Sequence, residues 1–322
     1  MSTTTNSTNL LATGEPIVLL DDLAYICTVM VNVYFIGPAN AEDREWVLID
    51  AGMTGSAEQI IRAAEARFGP GSRPSNIILT HGHFDHVGAL EILAKRWETP
   101  IFAHPMELPY LQGRSSYAPP DPSVGGGLIS ALSWTFPRGP INLGERIKPL
   151  PADESVPGLA DWRWVFTPGH TPGHIALFRN SDRTLIAGDA FVTTKQECAM
   201  AVMAQRREMH GPPMYFTPDW KSAAKSVATL ANLDPEIAAT GHGEPFHGQS
   251  MRTELHNLAR DFQSRAVPKH GRYANQSIVT DESGVVSMPP ELPELLPSML
   301  FANDGISKFM REFLGEDLRV DC

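Results

Sequence analysis

The spacing of apolar residues alternates between two periods along the first part of the chain. Ala24 to Ile36 (AYICTVMVNVYFI) and Glu45 to Asp50 (EWVLID) are rich in β-branched and aromatic residues, a composition typical of strands. From Ser56 to Phe68 the apolar residues recur at helical spacing, and Ser56 and Gln59 stand at the distance of a capping box. The pattern therefore predicts strands followed by an amphipathic helix.

Four more short apolar runs predict strands, and each leads directly into a turn that contains His or Asp. These runs cover residues 76–80, 162–167, 184–187 and 237–240. Helical periodicity lies between them, over Leu90 to Trp97 and again in a helix for which Asp219 is the expected N-cap. Strands that alternate with helices favour a mixed α/β fold over an all-α or an all-β fold.

Two regions depart from this alternation. Residues 104–151 contain Pro-Pro and Gly-Gly-Gly runs, which predict mostly loop with one short helix, and long loops inside compact domains are usually functional. After about Phe246 we expect a hairpin near Asp281 to Gly284 and a closing helix on Ile306, Phe309, Met310 and Phe313. We therefore divide the chain into a flexible tail (1–16), a main domain (17–247) and a C-terminal helical extension (248–322).

The C-terminal extension begins with an amphipathic stripe that has two interpretations. The stripe consists of Met251, Leu255, Leu258 and Phe262, which share one helical face. It can pack against the main domain of the same chain, or it can form the contact of a homodimer. Both interpretations stay open at this point.

Bulk composition changes this picture mainly by exclusion. A net charge of −11, with 42% hydrophobic and 20% charged residues, indicates a globular protein that repels phosphate backbones, so we expect no nucleic-acid partner. No run approaches the roughly 20 apolar residues that cross a bilayer, and the polar start lacks a signal-peptide pattern. We therefore expect a cytoplasmic protein without membrane association. Cys27, Cys198 and Cys322 are odd in number and far apart, and we expect them to be reduced.

The densest chemistry follows the strand predicted at 76–80. His81, His83, Asp85 and His86 form an HxHxDH pattern, which this composition would produce by chance in about one random chain per thousand. Alternation at a strand end points His81 and His83 the same way, while Asp85 and His86 fall in the next turn and face a second point. The spacing predicts two neighbouring metal positions. Imidazole and carboxylate ligands suit zinc, and also iron or manganese.

Three later residues follow predicted strands in the same way and complete such a site. They are His170 in TPGH, Asp189 in AGD and His242 in TGHG. His174 lies four residues after His170, so either histidine can serve as the ligand. We favour His170 and expect His174 to orient a ligand or to pack beside it.

With these residues the sequence resembles the metallo-β-lactamase superfamily, whose members share HxHxDH and later ligands in the order His, Asp, His. The resemblance covers about residues 17–247 and implies an αββα sandwich with the site along one edge of its two sheets. It also implies the ligands of each ion: His81, His83 and His170 for the first, Asp85, His86 and His242 for the second, and Asp189 for both. Two zinc ions, with iron or manganese as alternatives, would then activate a water molecule near neutral pH. Asp85 would orient that water and carry a proton, so Asp85 and Asp189 are the expected catalytic residues.

Members of this superfamily cleave different bonds at the same kind of site, and the sequence narrows the choice by subtraction. Acyl-homoserine lactonases generally carry Tyr three residues after the bridging Asp, where this chain has Val192. Glyoxalase II shares the TPGHTxGH segment, but the end of this chain has no matching basic cluster for glutathione. We expect hydrolysis of an ester, lactone or thioester bond in a small, fairly apolar substrate.

Three alternatives to this function stay open. The first is β-lactamase-like amide hydrolysis, although such enzymes are usually secreted. The second is a mononuclear iron dioxygenase that acts on persulfides through a His-His-Asp subset of the ligands. The third is a binding or regulatory protein that keeps the site as a remnant, which the intact set of seven residues disfavours. Metal content would separate the hydrolase from the dioxygenase.

Several residues near the motif have both a structural and a functional interpretation. Asp50 ends the segment LIDAG and either shapes its loop or supports a ligand. His104 either lines the pocket or makes a local backbone bond, and we favour the backbone bond. After Asp189 an apolar segment predicts a wall that faces the substrate, with core or dimer packing as the alternative. That segment contains Met200, Met203, Met209, Met214, Tyr215 and Phe216.

Overall fold

The computed structural model describes residues 15–291, which form two large sheets and a small hairpin. The first sheet contains, in this spatial order, β1 (Ile17–Leu20), β2 (Leu23–Thr28), β3 (Val31–Ile36), β4 (Val47–Ile49), β5 (Asn76–Ile78), β6 (Ile101–Ala103) and β7 (Ile147–Pro149). Neighbours from β1 to β4 pair antiparallel, and neighbours from β4 to β7 pair parallel. The parallel strands β4 and β5 therefore end at the same edge of this sheet.

The second sheet has six strands. They are β8 (Ser155–Val156), β9 (Leu159–Phe166), β10 (Ile175–Arg179), β11 (Thr184–Gly188), β12 (Ile237–Thr240) and β13 (Phe246–His247), in the spatial order β13-β12-β11-β10-β9-β8. The pair β11 and β12 is parallel, and the other pairs are antiparallel. A separate hairpin joins β14 (Val279–Asp281) to β15 (Gly284–Ser287).

The helices lie between the strands in the chain. They are α1 (Ala57–Phe68), α2 (Phe84–Val87), α3 (Leu90–Trp97), α4 (Leu108–Leu111), α5 (Leu128–Leu132), α6 (Ala199–Met203), α7 (Trp220–Asn232), α8 (Gly248–Arg260) and α9 (Phe262–Arg265). The side chain of Asp219 accepts a hydrogen bond from the backbone N–H of Ser222 at 3.2 Å, so the predicted N-cap of α7 is confirmed.

Three apolar cores separate the layers. Successive residues of a strand face opposite sides of a sheet, so in β3 Tyr34 and Ile36 face the second sheet, whereas Val33 and Phe35 face α1 and α3. On the far side, α7 and α8 pack against the second sheet through a third core. Two facing sheets with helices on both outer faces make an αββα sandwich, and the fold predicted from the resemblance is confirmed.

Local predictions differ from the structure in their detail. Ala24 to Ile36 is strand, as predicted, but it forms the hairpin β2–β3, whose turn places Val29 at φ 65°. The capping box of α1 is absent among the described residues, because the Ser56 hydroxyl donates to the carbonyl of Met53 and Gln59 donates to the carbonyl of Cys27. The tertiary contact with β2 thus replaces the local cap. Residues 104–151 also contain more helix than the one short segment expected, namely α4, α5 and several 3₁₀ turns.

The start of the C-terminal extension packs within the same chain. Met251, Leu255, Leu258 and Phe262 are buried in the core shared with α7, which confirms the intramolecular interpretation of the stripe. The predicted hairpin near residues 281–284 is also confirmed. The predicted closing helix on residues 306–313 and the predicted tail before Glu15 lie outside the described residues, and the boundary at 247 stays a prediction.

Two of the three cysteines, Cys27 and Cys198, lie within the described residues. Cys27 is a free thiol, as expected, whereas Cys198 is disulfide-bonded, so the expectation of reduced cysteines is wrong for Cys198. An odd number of widely spaced cysteines disfavours a framework of several bridges, but it does not exclude a single bridge. Within residues 15–291 no helix is long and apolar enough to cross a membrane.

Candidate metal centre

Polar side chains meet where strands of both sheets end. They come from the loop after β5 (His81, His83), from α2 (Asp85, His86), and from the loops after β9 (His170), β11 (Asp189) and β12 (His242). The structure therefore brings all seven residues of the predicted site together. Each of them is buried, and Asp85, at 8% exposure, is the most accessible of the seven.

The donor atoms of these residues fall into three groups, each with its atoms within 4.8 Å of one another. The groups are His81, His83 and His170; Asp85, His86 and His242; and His81, His86 and Asp189. Asp189 lies between the first two groups, because its Oδ2 is 3.5 Å from Nε2 of His170 and 3.1 Å from Nε2 of His242, while its Oδ1 is 3.6 Å from Nε2 of His86. This geometry fits two neighbouring ions with one shared carboxylate.

Protein acceptors fix the tautomer of four of the five histidines. Nδ1 of His81, His86, His170 and His242 lies 2.8–3.2 Å from the Thr80 hydroxyl, the Asp50 carboxylate, the Thr217 hydroxyl and the Met30 carbonyl, respectively. The two hydroxyls already donate elsewhere, to Asp50 and to the carbonyl of Pro213, so they accept from the imidazoles. In each of these four rings Nδ1 is thus held by a protein acceptor and Nε2 is the nitrogen that faces the centre, which is how metal-binding histidines are normally oriented. His83 differs, since its Nδ1 lies 2.9 Å from Nε2 of His170.

Unpartnered polar atoms test whether these residues fit metal ions. Nε2 of His81, Nε2 of His86 and Oδ1 of Asp189 are buried without a hydrogen-bond partner among the described residues. Buried polar atoms are normally paired, and three unpaired acceptors that face one centre are best explained by a cation between them. Imidazole with carboxylate suits zinc, iron or manganese. The donor set therefore fits divalent metal ions.

The electrostatics of the centre favour positive charge at its carboxylate-rich side. Burial would lower the pKa of His242, but the carboxylates of Asp189 and Asp85 outweigh burial and raise that pKa to about 10. In the other group, burial lowers the pKa of His83 to about 4 and holds the pKa of His81 well below its usual range. Although burial opposes ionisation, His242 and His86 hold the pKa of Asp189 well below its usual value.

Asp50 supports the centre rather than only shaping its loop. Its carboxylate accepts hydrogen bonds from the backbone N–H and the hydroxyl of Thr80 and from Nδ1 of His86, each at 2.8 Å. Asp50 adopts a left-handed conformation with φ 61°, which turns its side chain from the end of β4 toward β5. The functional interpretation of Asp50 is therefore the one that the contacts favour.

The two histidines of the HTPGH segment have different surroundings. Nε2 of His174 accepts a hydrogen bond from the backbone N–H of Asp189 at 2.9 Å, and its Nδ1 lies 2.8 Å from the Thr167 hydroxyl. Both ring nitrogens of His174 are thus occupied by protein groups, whereas His170 belongs to one of the metal-sized groups. Burial lowers the pKa of His174 to about 3, so this ring is neutral. His174 positions Asp189, and His170 faces the centre.

His104 lies away from the centre. Its ring stacks on Phe166 with centroids 4.4 Å apart, and its Nδ1 accepts a hydrogen bond from the backbone N–H of Met106 at 3.2 Å. The expected local backbone bond is confirmed.

Glu107 is a residue of the site that the sequence did not reveal. Its buried carboxylate accepts from the backbone N–H groups of Gly82 and Gly173 at 2.9 and 2.7 Å, from the Thr171 hydroxyl at 2.7 Å, and from the Tyr117 hydroxyl. Gly82 lies between His81 and His83, and Thr171 follows His170. One carboxylate thus joins the two loops that carry the first donor group.

Gly241 gives the centre the room that it needs. A Cβ at this position would overlap Oδ1 of Asp189 and would also lie 2.9 Å from the ring of His86. Only glycine lets the backbone after β12 pass this close to both side chains.

The predicted apolar wall is present in part. The ring of Phe216 lies 4.6 Å from that of His83, and Tyr117 packs on His83 from another direction at 4.7 Å. The methionines do not share this position, because Met209 is buried in the core behind the second sheet and Met203 is 80% exposed. Val192, at the position of the lactonase tyrosine, is buried.

Comparison with known proteins agrees with this architecture. The family model described as "Metallo-beta-lactamase superfamily" matches residues 28–242, more than half of the chain. The chain is 48% identical over 233 residues to "Probable metallo-hydrolase YflN" of Bacillus subtilis, which covers 72% of this chain and 88% of that protein. It is 32% identical over 160 residues to the "Hydroxyacylglutathione hydrolase" of Alkalilimnicola ehrlichii, with 48% of each chain covered.

A solved structure supports the fold. The metallo-beta-lactamase family protein TTHA1429 from Thermus thermophilus matches with a TM-score of 0.52 and 21% identity, over 77% of this chain and 81% of that one. The fold, the family match and the close relative lead to one conclusion. This chain belongs to the metallo-beta-lactamase superfamily and is a metallo-hydrolase of that superfamily.

Proposed function

We propose that the protein is a dinuclear metal-dependent hydrolase that cleaves an ester, lactone or thioester bond of a small, fairly apolar substrate. The observation that carries this proposal is the pair of metal-sized donor groups on either side of Asp189. His81, His83 and His170 would hold one ion, and Asp85, His86 and His242 would hold the other. Zinc is the ion that we propose, and the same donors also suit iron or manganese.

Metal ions in such a site supply a water molecule that ionises near neutral pH and a Lewis acid for the carbonyl oxygen. The side chains around them have separate tasks. Asp189 holds the two donor groups at a fixed separation, and His174 fixes the backbone of Asp189. Asp85 is the most exposed of the seven residues and its Oδ2 lies 3.3 Å from Nε2 of His242, so it can orient the attacking water and accept its proton.

The apolar character of the substrate follows from the rings beside the centre. Phe216 and Tyr117 pack on His83, and Phe84 and Phe136 extend this aromatic surface. Such a surface excludes water from the bond under attack and suits an uncharged substrate. The thioester alternative has support from the relative whose name states that it acts on hydroxyacylglutathione.

The setting of this activity is also part of the proposal. The partner is a small-molecule substrate in the cytoplasm, and the net charge of −11 argues against nucleic acid. A homodimer through the C-terminal extension stays a prediction.

A substrate panel tests the proposal. The metal-loaded protein is assayed with lactones, thioesters, esters, β-lactams and phosphodiesters, and turnover of the first three classes is expected. Asp85→Asn keeps a ligand oxygen but cannot take the proton, so kcat should fall by about 10²- to 10⁴-fold. Preferred cleavage of β-lactams or phosphodiesters would contradict the proposal, and so would wild-type kcat in Asp85→Asn.

A further inference from the structure

A narrow pocket opens beside the first donor group. Its inner side consists of His83 and His170, and the rings of Tyr117 and Phe216 flank it. The pocket is small, with a free volume of about 10 Å³. Because about 10–15 Å³ holds a single water molecule, the pocket accepts a group no larger than a methyl group without rearrangement.

The opposite side of this pocket comes from the C-terminal segment. Tyr273, Ile278 and Val285 complete the lining, although they lie more than 30 residues beyond His242 in the chain. The hairpin β14–β15 and the segment before it therefore supply part of the surroundings of the candidate centre. The family match ends at residue 242, so this contribution is separate from the matched domain.

Several hydrogen bonds hold this segment against the site. The Tyr273 hydroxyl donates to the carbonyl of Pro119 at 2.8 Å, and Ser277 donates to the carboxylate of Asp219 at 2.7 Å. The backbone N–H of Val285 also donates to the Ser115 hydroxyl at 3.3 Å. The segment is thus attached at three points, to Ser115, Pro119 and Asp219, which fixes the position of its side chains.

Apart from the imidazoles of His83 and His170, the lining carries three tyrosine hydroxyls, and those of Tyr117 and Tyr273 are already hydrogen-bonded. Tyr110 stacks on Tyr117 with centroids 4.0 Å apart, and its hydroxyl is buried without a hydrogen-bond partner among the described residues. A single unpaired hydroxyl in such a lining is suited to one oxygen of a ligand. The pocket therefore suits a short aliphatic group with at most one polar atom.

We propose that Tyr273, Ile278 and Val285 form the wall of a subsite for a short aliphatic acyl group, and that this wall limits the chain length of the substrate. The proposal rests on the proposed function, since the subsite holds the acyl side of the bond that is cleaved. Adjacent valines provide matched controls: Val279 and Val286 belong to the same hairpin, but each is 55% exposed.

The test compares acyl chain lengths. Metal-loaded wild type is assayed with p-nitrophenyl acetate, butanoate and hexanoate, and kcat/KM should fall steeply with length. Ile278→Ala and Val285→Ala remove side-chain volume from the wall and should raise the hexanoate-to-acetate ratio by about 10-fold. Val285→Leu should lower the ratio, whereas Val279→Ala and Val286→Ala should leave it within about twofold of wild type.

Binding of the free acids separates this proposal from the proposed function. Acetate, butanoate and hexanoate are titrated into the same metal-loaded proteins by calorimetry, and Val285→Ala should gain affinity for hexanoate relative to acetate. If this shift occurs while no ester, lactone or thioester is hydrolysed, the subsite stands and the proposed function fails. If esters are hydrolysed with one chain-length profile in wild type, wall variants and controls, the subsite proposal is overturned.

Discussion

Nδ1 of His86 donates a hydrogen bond to Oδ2 of Asp50 at a distance of 2.8 Å. The same carboxylate accepts from the backbone and the hydroxyl of Thr80, and that hydroxyl in turn accepts from His81. Asp50 thus orients one proposed ligand of each ion. Asp50 itself belongs to none of the three donor groups. A buried carboxylate that connects two strand ends makes the centre rigid before any ion arrives.

Asp50→Asn should weaken metal binding by about 10- to 100-fold, because one of the three donors around residue 50 then faces an amide NH₂ group. Affinity is measured by competition with a chelating dye. Asp43→Asn is the control, since Asp43 is 43% exposed and pairs with Arg73 at the surface. Equal metal affinity in the two variants would contradict the orienting role of Asp50.

His170→Ala and His174→Ala should differ in what they remove. His170→Ala is expected to lose about one ion per chain, because one donor group drops to two histidines. His174→Ala should keep both ions but lower the free energy of unfolding by roughly 1–3 kcal/mol, since the N–H of Asp189 loses its acceptor. Metal analysis and urea unfolding measure the two effects. Loss of metal from His174→Ala but not from His170→Ala would show that His174, and not His170, is the ligand.

Gly241→Ala should remove metal as well as stability. The new methyl group overlaps the carboxylate of Asp189, and overpacking of this kind costs roughly 1–3 kcal/mol. Gly211→Ala is the matched control, because its methyl group overlaps Ala266 in the core behind the second sheet. Both variants should unfold at lower urea concentration, and only Gly241→Ala should have reduced metal content. Full metal content in Gly241→Ala would show that the centre tolerates displacement of Asp189.

Glu107→Gln should disturb both loops of the first donor group. In the variant, the amide NH₂ of the glutamine faces N–H groups that donate hydrogen bonds to the carboxylate in wild type. We therefore expect the free energy of unfolding to fall by roughly 1–3 kcal/mol. Metal affinity should fall as well, because Gly82 and Thr171 adjoin the histidines. The exposed residue Glu42 offers the control Glu42→Gln. A variant that loses stability but binds metal as tightly as wild type would limit Glu107 to a structural role.

The seven residues of the centre were predictable because each follows an apolar run, and four of them share one short motif. His81 and His86 could be identified from this motif without any knowledge of contacts between distant segments. The spacing left open whether His170 or His174 is the ligand, and only the bond from Asp189 to His174 shows why the second histidine is occupied.

Glu107 and the capping box show where local patterns fail. Three of the four partners of Glu107, namely Gly82, Thr171 and Gly173, lie 25, 64 and 66 residues away, so no local spacing indicates its role. Ser56 and Gln59 have the spacing of a cap, but Gln59 bonds instead to the carbonyl of Cys27 in β2. In both cases contacts between distant segments outweigh local preference. The contribution of the C-terminal hairpin to the pocket wall also depends on contacts between distant segments.

Metal content measured with and without Asp189 tests the central claim most directly. Purified wild type should contain about two divalent ions per chain, and Asp189→Ala should lose both the ions and hydrolytic activity together, since it removes the shared carboxylate. The protein and variant are analysed by elemental mass spectrometry alongside the ester, lactone and thioester assays. One iron per chain with oxygen uptake on a persulfide would contradict the account, as would Asp189→Ala that keeps two ions and wild-type turnover.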